Sequence, residues 1–280
     1  MKIYDNHLYV NEDLNNSLIL DDCFNVLKSI KNKSIDLVFA DLPYNLTGTA
    51  WDVKLDLNKL WIEYERILKD DGIIALFSIQ PFTTHLINSN ISLWRYNWYW
   101  EKDKSRGGNF MNAKNSPIKV IEEICIFGKH KVKHEKFKNR LRYNPQGLIE
   151  YNKEVKGKKK TNSTIDLKNT HNFNRPSHKE TYIREYTNYP CNILKYKHLK
   201  DDIGLHPTQK PLSLCEYIIK TYTNEQDIVV DNTMGAGTIP LAALKTNRKF
   251  IGIDNNKEFF DKAVIRLNTY INNNEEINRK

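Results

Sequence analysis

The chain has 280 residues, 40% of them hydrophobic and 28% charged, with a formal net charge of +9. That composition is ordinary for a soluble globular protein and has room for one large domain, or for a core with a modest insertion. No apolar run approaches the roughly 18 residues of a membrane span, and Met1-Lys2-Ile3-Tyr4-Asp5-Asn6 has no apolar stretch after its lysine, so no secretory leader is expected.

In chain order, Leu18 to Asp21 and Ile35 to Ala40 read as strands. Leu57, Leu60, Trp61, Tyr64, Ile67 and Leu68 have the i, i+3, i+4, i+7 spacing of an amphipathic helix, with Gly72 as its terminator. Ile73 to Phe77 is the next buried strand. Asn97 to Trp100 and Ile121 to Phe127 follow as two strand-like runs with no clear helix between them. From about Gly128 to Asp201 the periodicity dissolves into Lys, Asn, Tyr and His, with prolines at 145, 176 and 190. Such a stretch is too long for a mere connector. Order returns with a helix Leu212 to Tyr222 opened by Pro211, a strand Asp227 to Asp231, and a helix from Thr238 to about Thr246. A strand Phe250 to Asp254 and a last helix from about Glu258 complete the chain. Alternating strands and helices predict an α/β fold, a doubly wound Rossmann-like sheet that is mostly parallel.

The charge is localised. Between Lys129 and Lys160 there are 12 Lys/Arg and 3 Asp/Glu, and the remainder of the chain is neutral. A basic block beside a balanced body fits a polyanion-binding insertion, although a solvated loop in a Lys- and Asn-rich chain has the same look. Four scattered cysteines (Cys23, Cys125, Cys191, Cys215) suit a reducing cytoplasm.

The sharpest cofactor signal is Ile228-Val229-Val230-Asp231-Asn232-Thr233-Met234-Gly235-Ala236-Gly237-Thr238. A buried strand runs into a glycine turn and then a helix, where backbone N–H groups and the helix start favour a polar ligand. About 20 residues on, Asp254 ends the next strand, placed for ribose hydroxyls. Pro240 stands where a third glycine would let helix and strand close over a pyrophosphate, so a nucleoside-type cofactor fits better than a dinucleotide.

A second constellation is Asp41-Leu42-Pro43-Tyr44, a carboxylate, a stiffened turn and an aromatic ring at a strand's C-terminal end. Taken alone it also reads as an ordinary turn with a half-buried tyrosine. Two other candidates are weaker. Pro190-Cys191 falls in the irregular stretch without a Glu-Asn-Val partner, so a nucleophilic role is not expected. Cys125, His130 and His134 are loosely spaced and lack a fourth ligand, so no metal is expected. His171 and His178 read as surface or DNA-facing residues.

Together these features resemble the β-class amino-methyltransferases of DNA, the N-4/N-6 methylase family, which carry an Asp-Pro-Pro-Tyr loop ahead of their cofactor motif. The order agrees: Asp41 to Tyr44, a variable segment, then His206-Pro207-Thr208-Gln209-Lys210-Pro211, then Asp231 to Thr238. Leu20-Asp21-Asp22-Cys23 is similar to the family's adenosine-contacting segment. Gly107 to Phe127, with Asn112-Ala113-Lys114 and Glu122-Glu123-Ile124, looks like phage-type members. The resemblance covers the chain except about 130–200.

It implies a seven-stranded methyltransferase sheet formed by 1–127 and 202–280, with 128–201 as a target-recognition insertion. It implies S-adenosylmethionine as cofactor and N6 of a flipped adenine in double-stranded DNA as target, with N4 of cytosine and an inactive DNA-binding relative as alternatives. Asp41, Leu42, Pro43 and Tyr44 would form the catalytic loop. Leucine replaces the first proline of the family's loop, and its main-chain carbonyl can serve as well. Asp254 would bind the ribose, Asp22 the adenine amine, and the Gly235, Gly237 and Thr238 turn the methionine moiety. Lys210 and Thr238 would meet the methionine carboxylate, with Thr208, Asp231 and Thr233 also in the cofactor set. A helix-cap role for Thr238 is the alternative. Lys129, Lys131, Lys133, Arg140, Arg142, Lys156, Lys158, Lys159 and Lys160 would pair with DNA phosphates. A homodimer and a cognate restriction endonuclease stay open as partners.

Overall fold

The computed structural model describes residues 1–5, 12–44, 55–103, 108, 110–133, 138–156, 181–197 and 209–278. Its described residues divide into two compact units, Met1–Asn144 with Asn192–Lys280, and Pro145–Cys191.

The first unit is built on nine strands: β1 (Lys2–Asp5), β2 (Ser17–Leu20), β3 (Ile35–Ala40), β4 (Leu68–Ser78), β5 (Trp94–Glu101), β6 (Ile121–Gly128), β9 (Ile193–Lys195), β10 (Ile228–Asp231) and β11 (Lys249–Asp254). Their order across the sheet is β1-β2-β11-β10-β3-β4-β6-β5-β9. Only β6 runs against its neighbours; every other pairing is parallel. The seven expected strands form the centre, and the short β1 and β9 extend the two edges.

Strands buried on both faces lose the polar alternation of a half-exposed sheet. β3 shows this in its sequence, Ile-Asp-Leu-Val-Phe-Ala, with every residue buried. Its alternate side chains serve two separate cores. Leu37 and Phe39 join Leu18, Ile73, Ala75 and Phe77 under α4 (Leu212–Tyr222), α5 (Thr238–Lys245) and α6 (Lys257–Asn278). Val38 and Ala40 join Ile19, Ile74 and Leu76 under α1 (Cys23–Ser29), α2 (Leu57–Ile67) and α3 (Phe82–Ser89). No described helix is long and apolar enough to cross a membrane.

Several local expectations change. Gly72 does not end α2: the helix stops at Ile67 and β4 begins at Leu68. Gly72 lies inside β4, where an added Cβ would sit 2.8 Å from Leu68 Cδ1 and 3.1 Å from the Asp36 carbonyl oxygen, so close strand packing is what requires the glycine. α1 follows from Asp22, whose side chain caps the helix by accepting from Phe24 N at 2.9 Å. Segments flanking the irregular stretch also belong to the first unit. Leu141 is buried in the core, Tyr143 stacks on Trp98, and β9 pairs with β5. The compact second unit, 145–191, is therefore narrower than the expected 128–201 insertion. It contains the antiparallel ribbon of β7 (Ile149–Lys156) and β8 (Thr181–Thr187).

Candidate active site

Two strand ends meet where the sheet changes its winding direction. β10 pairs with β3 through Val229–Leu37 and Val230–Val38, so Asp231 and Asp41 emerge side by side, as a switch-point site requires. The Thr233 hydroxyl donates to the Asp41 carbonyl at 3.1 Å and ties the two loops together.

On the cofactor side, the glycine turn is held by the acid at the end of β11. Gly235 N donates to one Asp254 oxygen at 2.8 Å and Asn256 N to the other at 2.8 Å. Burial raises the Asp254 carboxyl above its ordinary value, against these two backbone donors. Asp231 is fully enclosed, and burial raises its carboxyl well above the ordinary range while Thr233 N donates to it at 3.2 Å. Gly237 caps α5 at φ +71°, where a Cβ would also sit 2.9 Å from Ala263 Cβ. No side chain caps this helix, so Thr238 is not its cap; the Thr238 hydroxyl instead accepts from Arg266 Nη1 at 2.9 Å. The close approach usually provided by a third glycine comes from the facing strand: a Cβ on Gly252 would lie 2.9 Å from Pro240 Cγ.

On the other side, Asp41 is engaged through both oxygens. The Tyr44 hydroxyl donates to Oδ1 at 2.6 Å and Lys210 Nζ to Oδ2 at 2.5 Å. The Tyr44 ring packs against Phe82, with centroids 5.1 Å apart. Leu42 is buried among the apolar side chains under α1 and α2, which gives a packing reason for leucine in this loop.

Lys210, expected to meet the methionine carboxylate, is engaged by two carboxylates of the chain itself. Its Nζ lies 3.4 Å from Glu122 Oε2 as well, and 5.0 Å above the centre of the Phe77 ring. Burial disfavours its charge, yet Asp41 and Glu122 hold its ammonium above the ordinary lysine value. Burial likewise opposes the Glu122 carboxylate, but Lys210 and Lys102 bring it below its ordinary value.

A cavity of about 270 Å³ joins these groups. It is lined by Asp21 to Cys23, Asp41 to Tyr44, Glu122, Gln209, Lys210, Asp231 to Ala236, Thr238 and Asp254 to Asn256, with Leu55, Ile239 and Phe259 as its apolar surfaces. A second cavity of about 230 Å³ shares Leu42, Pro43, Tyr44 and Leu55 and is closed by Leu57, Phe82 and His85. The cavity also has unused polar capacity. Gln209 buries both amide atoms, and Asn232 its Nδ2, without a hydrogen-bond partner among the described residues. Orphaned buried polar atoms are costly, so their presence around one cavity is the mark of a polar ligand. Acid, glycine turn and orphaned amides together suit a nucleoside bearing an amino-acid tail.

Of the residues expected here, Asp22, Asp41 to Tyr44, Lys210, Asp231, Thr233, Gly235, Thr238 and Asp254 line one cavity. Gly237 shapes the turn from behind it. Thr208 lies outside the described residues, as do Lys158, Lys159 and Lys160. Lys131, Lys133 and Arg140 are exposed on the first unit and Lys156 on the second. Lys129 donates to the Leu68 carbonyl at 3.0 Å and pairs with Asp70 at 3.6 Å. Arg142 must be withdrawn from the DNA-facing set: its guanidinium pairs with Asp71, with Asp227 at 2.7 Å and with Asp36 at 3.3 Å. Asp36 and Asp227 lie at the starts of β3 and β10, away from the cavity, and Asp71 near the start of β4, and together they consume its charge. Glu122, Gln209 and Asn232 received no role from the sequence. The available signal was a pair of carboxylates, Glu122 and Glu123, near the start of the otherwise apolar β6, and an amide beside the lysine of a motif.

Fold and cavity define a class: an α/β protein with a cavity at the sheet's switch point whose lining suits a nucleoside cofactor. The family of DNA methylases (N6/N4 methyltransferases) matches residues 35–265, and the chain belongs to it. Its members transfer methyl groups from S-adenosylmethionine to DNA. The chain is similar to type II methyltransferase M.HpaI of Haemophilus parainfluenzae, 28% identical over 94% of this chain and 77% of that protein. It is also similar to the DNA adenine methyltransferase YhdJ of Escherichia coli strain K12, 26% identical over 90% of this chain and 82% of the relative. Among solved structures, the M1.HpyAVI–SAM complex shares the fold at TM-score 0.55 and 23% identity, covering 90% of this chain and 98% of the other.

Proposed function

We propose that the chain methylates N6 of adenine in duplex DNA. The observation that carries this reading is the Asp41 carboxylate, held at the junction of the cofactor cavity and the Tyr44 loop. An exocyclic amine is a weak nucleophile because its lone pair is delocalised into the ring. Two acceptors, the Asp41 carboxylate and the Leu42 carbonyl, accept hydrogen bonds from its two N–H groups and turn the lone pair out of the ring plane. When bound, S-adenosylmethionine supplies a methyl group on a sulfonium that leaves readily. The chain's own work is then positioning and electrostatics. As the N–CH3 bond forms the amine gives up one proton, and Asp41 is the base placed to take it.

Asp254 holds the ribose, Asp22 the adenine amine of the cofactor, and the Gly235–Thr238 turn its methionine end. The target amine is out of reach within a stacked duplex, so the base must swing out, and Tyr44, backed by Phe82, is the stacking surface for it. Lys131, Lys133, Arg140 and Lys156, with Lys158 to Lys160, contact phosphates, and the segment around 145–191 reads the sequence. YhdJ, named an adenine methyltransferase, supports adenine over cytosine. The family takes in N4 enzymes too, but their loop more often begins with serine than with a carboxylate. Digesting modified DNA and separating the nucleosides by mass tests the reading: N6-methyladenine is expected, and N4-methylcytosine refutes the base assignment. No labelled methyl in DNA at all refutes the enzyme.

A further inference from the structure

Among the described residues Lys210 is the cation paired with the reacting loop, and its position does not suit the methionine carboxylate. Its ammonium is 2.5 Å from Asp41 and 3.4 Å from Glu122, with only 7% of the side chain exposed. We infer that Lys210 is a positioning residue for the acceptor carboxylate, and that Glu122 anchors Lys210 from the opposite side. The inference rests on Asp41 being the acceptor of the target amine.

A carboxylate has two oxygens with two lone pairs each. The Tyr44 hydroxyl occupies one lone pair of Oδ1 and Lys210 one of Oδ2, so the lone pairs left for an amine point in fixed directions. Glu122 Oε2 stands 3.4 Å from Lys210 against 2.5 Å for Asp41, so its hold on Lys210 is the longer of the two and leaves the short directional bond to Asp41. Through Oε1 it also accepts from Lys102. The result is an alternating row, Asp41, Lys210, Glu122, Lys102, in which each enclosed charge has an opposite neighbour. Without Lys210, Asp41 and Glu122 would face each other as like charges in a largely buried site, and Asp41 would turn away. A lysine already committed to two carboxylates has no reason to release them for the cofactor's.

The split between cofactor binding and turnover separates the two roles in the full-length chain. Lys210→Met, Lys210→Arg and Glu122→Gln are compared with wild type by calorimetric titration of S-adenosylmethionine and by kcat at saturating cofactor and duplex. Loss of a hydrogen bond to a charged group corresponds to about 10- to 100-fold in rate. Lys210→Met is expected to lose that much in kcat with cofactor Kd within about threefold. Lys210→Arg should regain part of it, and Glu122→Gln should show the same split to a lesser degree. If Lys210→Met does not fold, the other two variants carry the test. A tenfold or larger rise in cofactor Kd in a folded Lys210 variant overturns the inference, as does an unchanged kcat. Wild-type protein that transfers no methyl to DNA would instead be the failure of the functional reading, and it is seen before any variant is made.

Discussion

Asp254 holds the glycine turn and is proposed to hold the cofactor's ribose, and replacing it should separate the two roles. Its carboxylate accepts from Gly235 N and Asn256 N, each at 2.8 Å, and so holds the glycine turn to the end of β11. Alanine leaves two partly buried N–H groups without acceptors. At about 1–3 kcal/mol for each, and with less than full additivity, Asp254→Ala should lose about 2–4 kcal/mol of stability. That is survivable for a domain stable by about 5–15 kcal/mol. Asparagine keeps one acceptor oxygen and should lose about 1 kcal/mol. Cofactor binding should fall by about 1.5–3 kcal/mol in both, because the ribose hydroxyls lose a charged acceptor. Binding should also depend on pH. Burial raises the folded Asp254 pKa, so the protonated form persists to a higher pH than for an ordinary aspartate, and affinity should rise as pH climbs through that raised value. The sign for stability is opposite: the raised pKa favours the folded state at low pH, and that contribution is lost as pH rises through it. Thermal melts and calorimetric titrations from mildly acidic to neutral pH measure both. A folded Asp254→Asn variant with wild-type affinity would remove the ribose role. An unchanged melting temperature in Asp254→Ala would remove the buttress.

Asp41→Ala should abolish transfer with cofactor affinity largely intact, measured by labelled-methyl incorporation beside calorimetry. Leu42→Pro should stay active, since the carbonyl remains, but lose about 1–3 kcal/mol in melts because a buried side chain is removed. Tyr44→Phe keeps the ring and loses the hydroxyl on Asp41, so kcat should fall about tenfold with little change in duplex affinity; wild-type kcat would mean that the hydroxyl does not orient Asp41. Neutralising Lys131, Lys133, Arg140 and Lys156 should flatten log K against log salt by about 0.9 for each lost phosphate contact. Arg142→Ala should leave that slope alone and cost about 3 kcal/mol of stability, because Asp36, only 1% exposed, loses a cation.

Much of this architecture was legible because its signals are local. Strands buried on both faces are apolar runs, and the turn at Gly235 to Thr238 declares itself by glycines that a close approach demands. The elements that escaped depend on partners distant in sequence. β1 is mostly exposed and is a strand only because β2 lies beside it. β9 has three residues and exists by pairing with β5. α1 has only seven residues, too short for periodicity to report. Gly72 misled because a glycine after an amphipathic run has the same appearance whether it ends a helix or lets two strands close. In the site, the acids and glycines were readable and the pairings were not. Arg142 sits in a basic block by sequence, and three aspartates from three other segments decide its use. Lys210 was placed by its motif, and Glu122, 88 positions earlier, decides what it does.

The segments that flank 145–191 in the chain belong to the first unit and meet neighbouring residues of one of its strands. Tyr143 stacks on Trp98, and Asn192 accepts through its carbonyl from Tyr99 N at 2.8 Å. An exchangeable cassette needs little more than this: the flanking segments are held within the first unit by contacts of their own, whatever the segment between them contains. Exchanging 145–191 for the matching piece of another methylase, or for a short Gly/Ser bridge, should therefore leave cofactor affinity and melting temperature close to those of the parent while sequence preference on DNA is replaced or lost. Loss of cofactor binding in the bridged chain would show the cassette to be part of the frame. If the exchange works, new specificity in this fold can be acquired by trading one loop-length segment, with the chemistry beneath it left untouched.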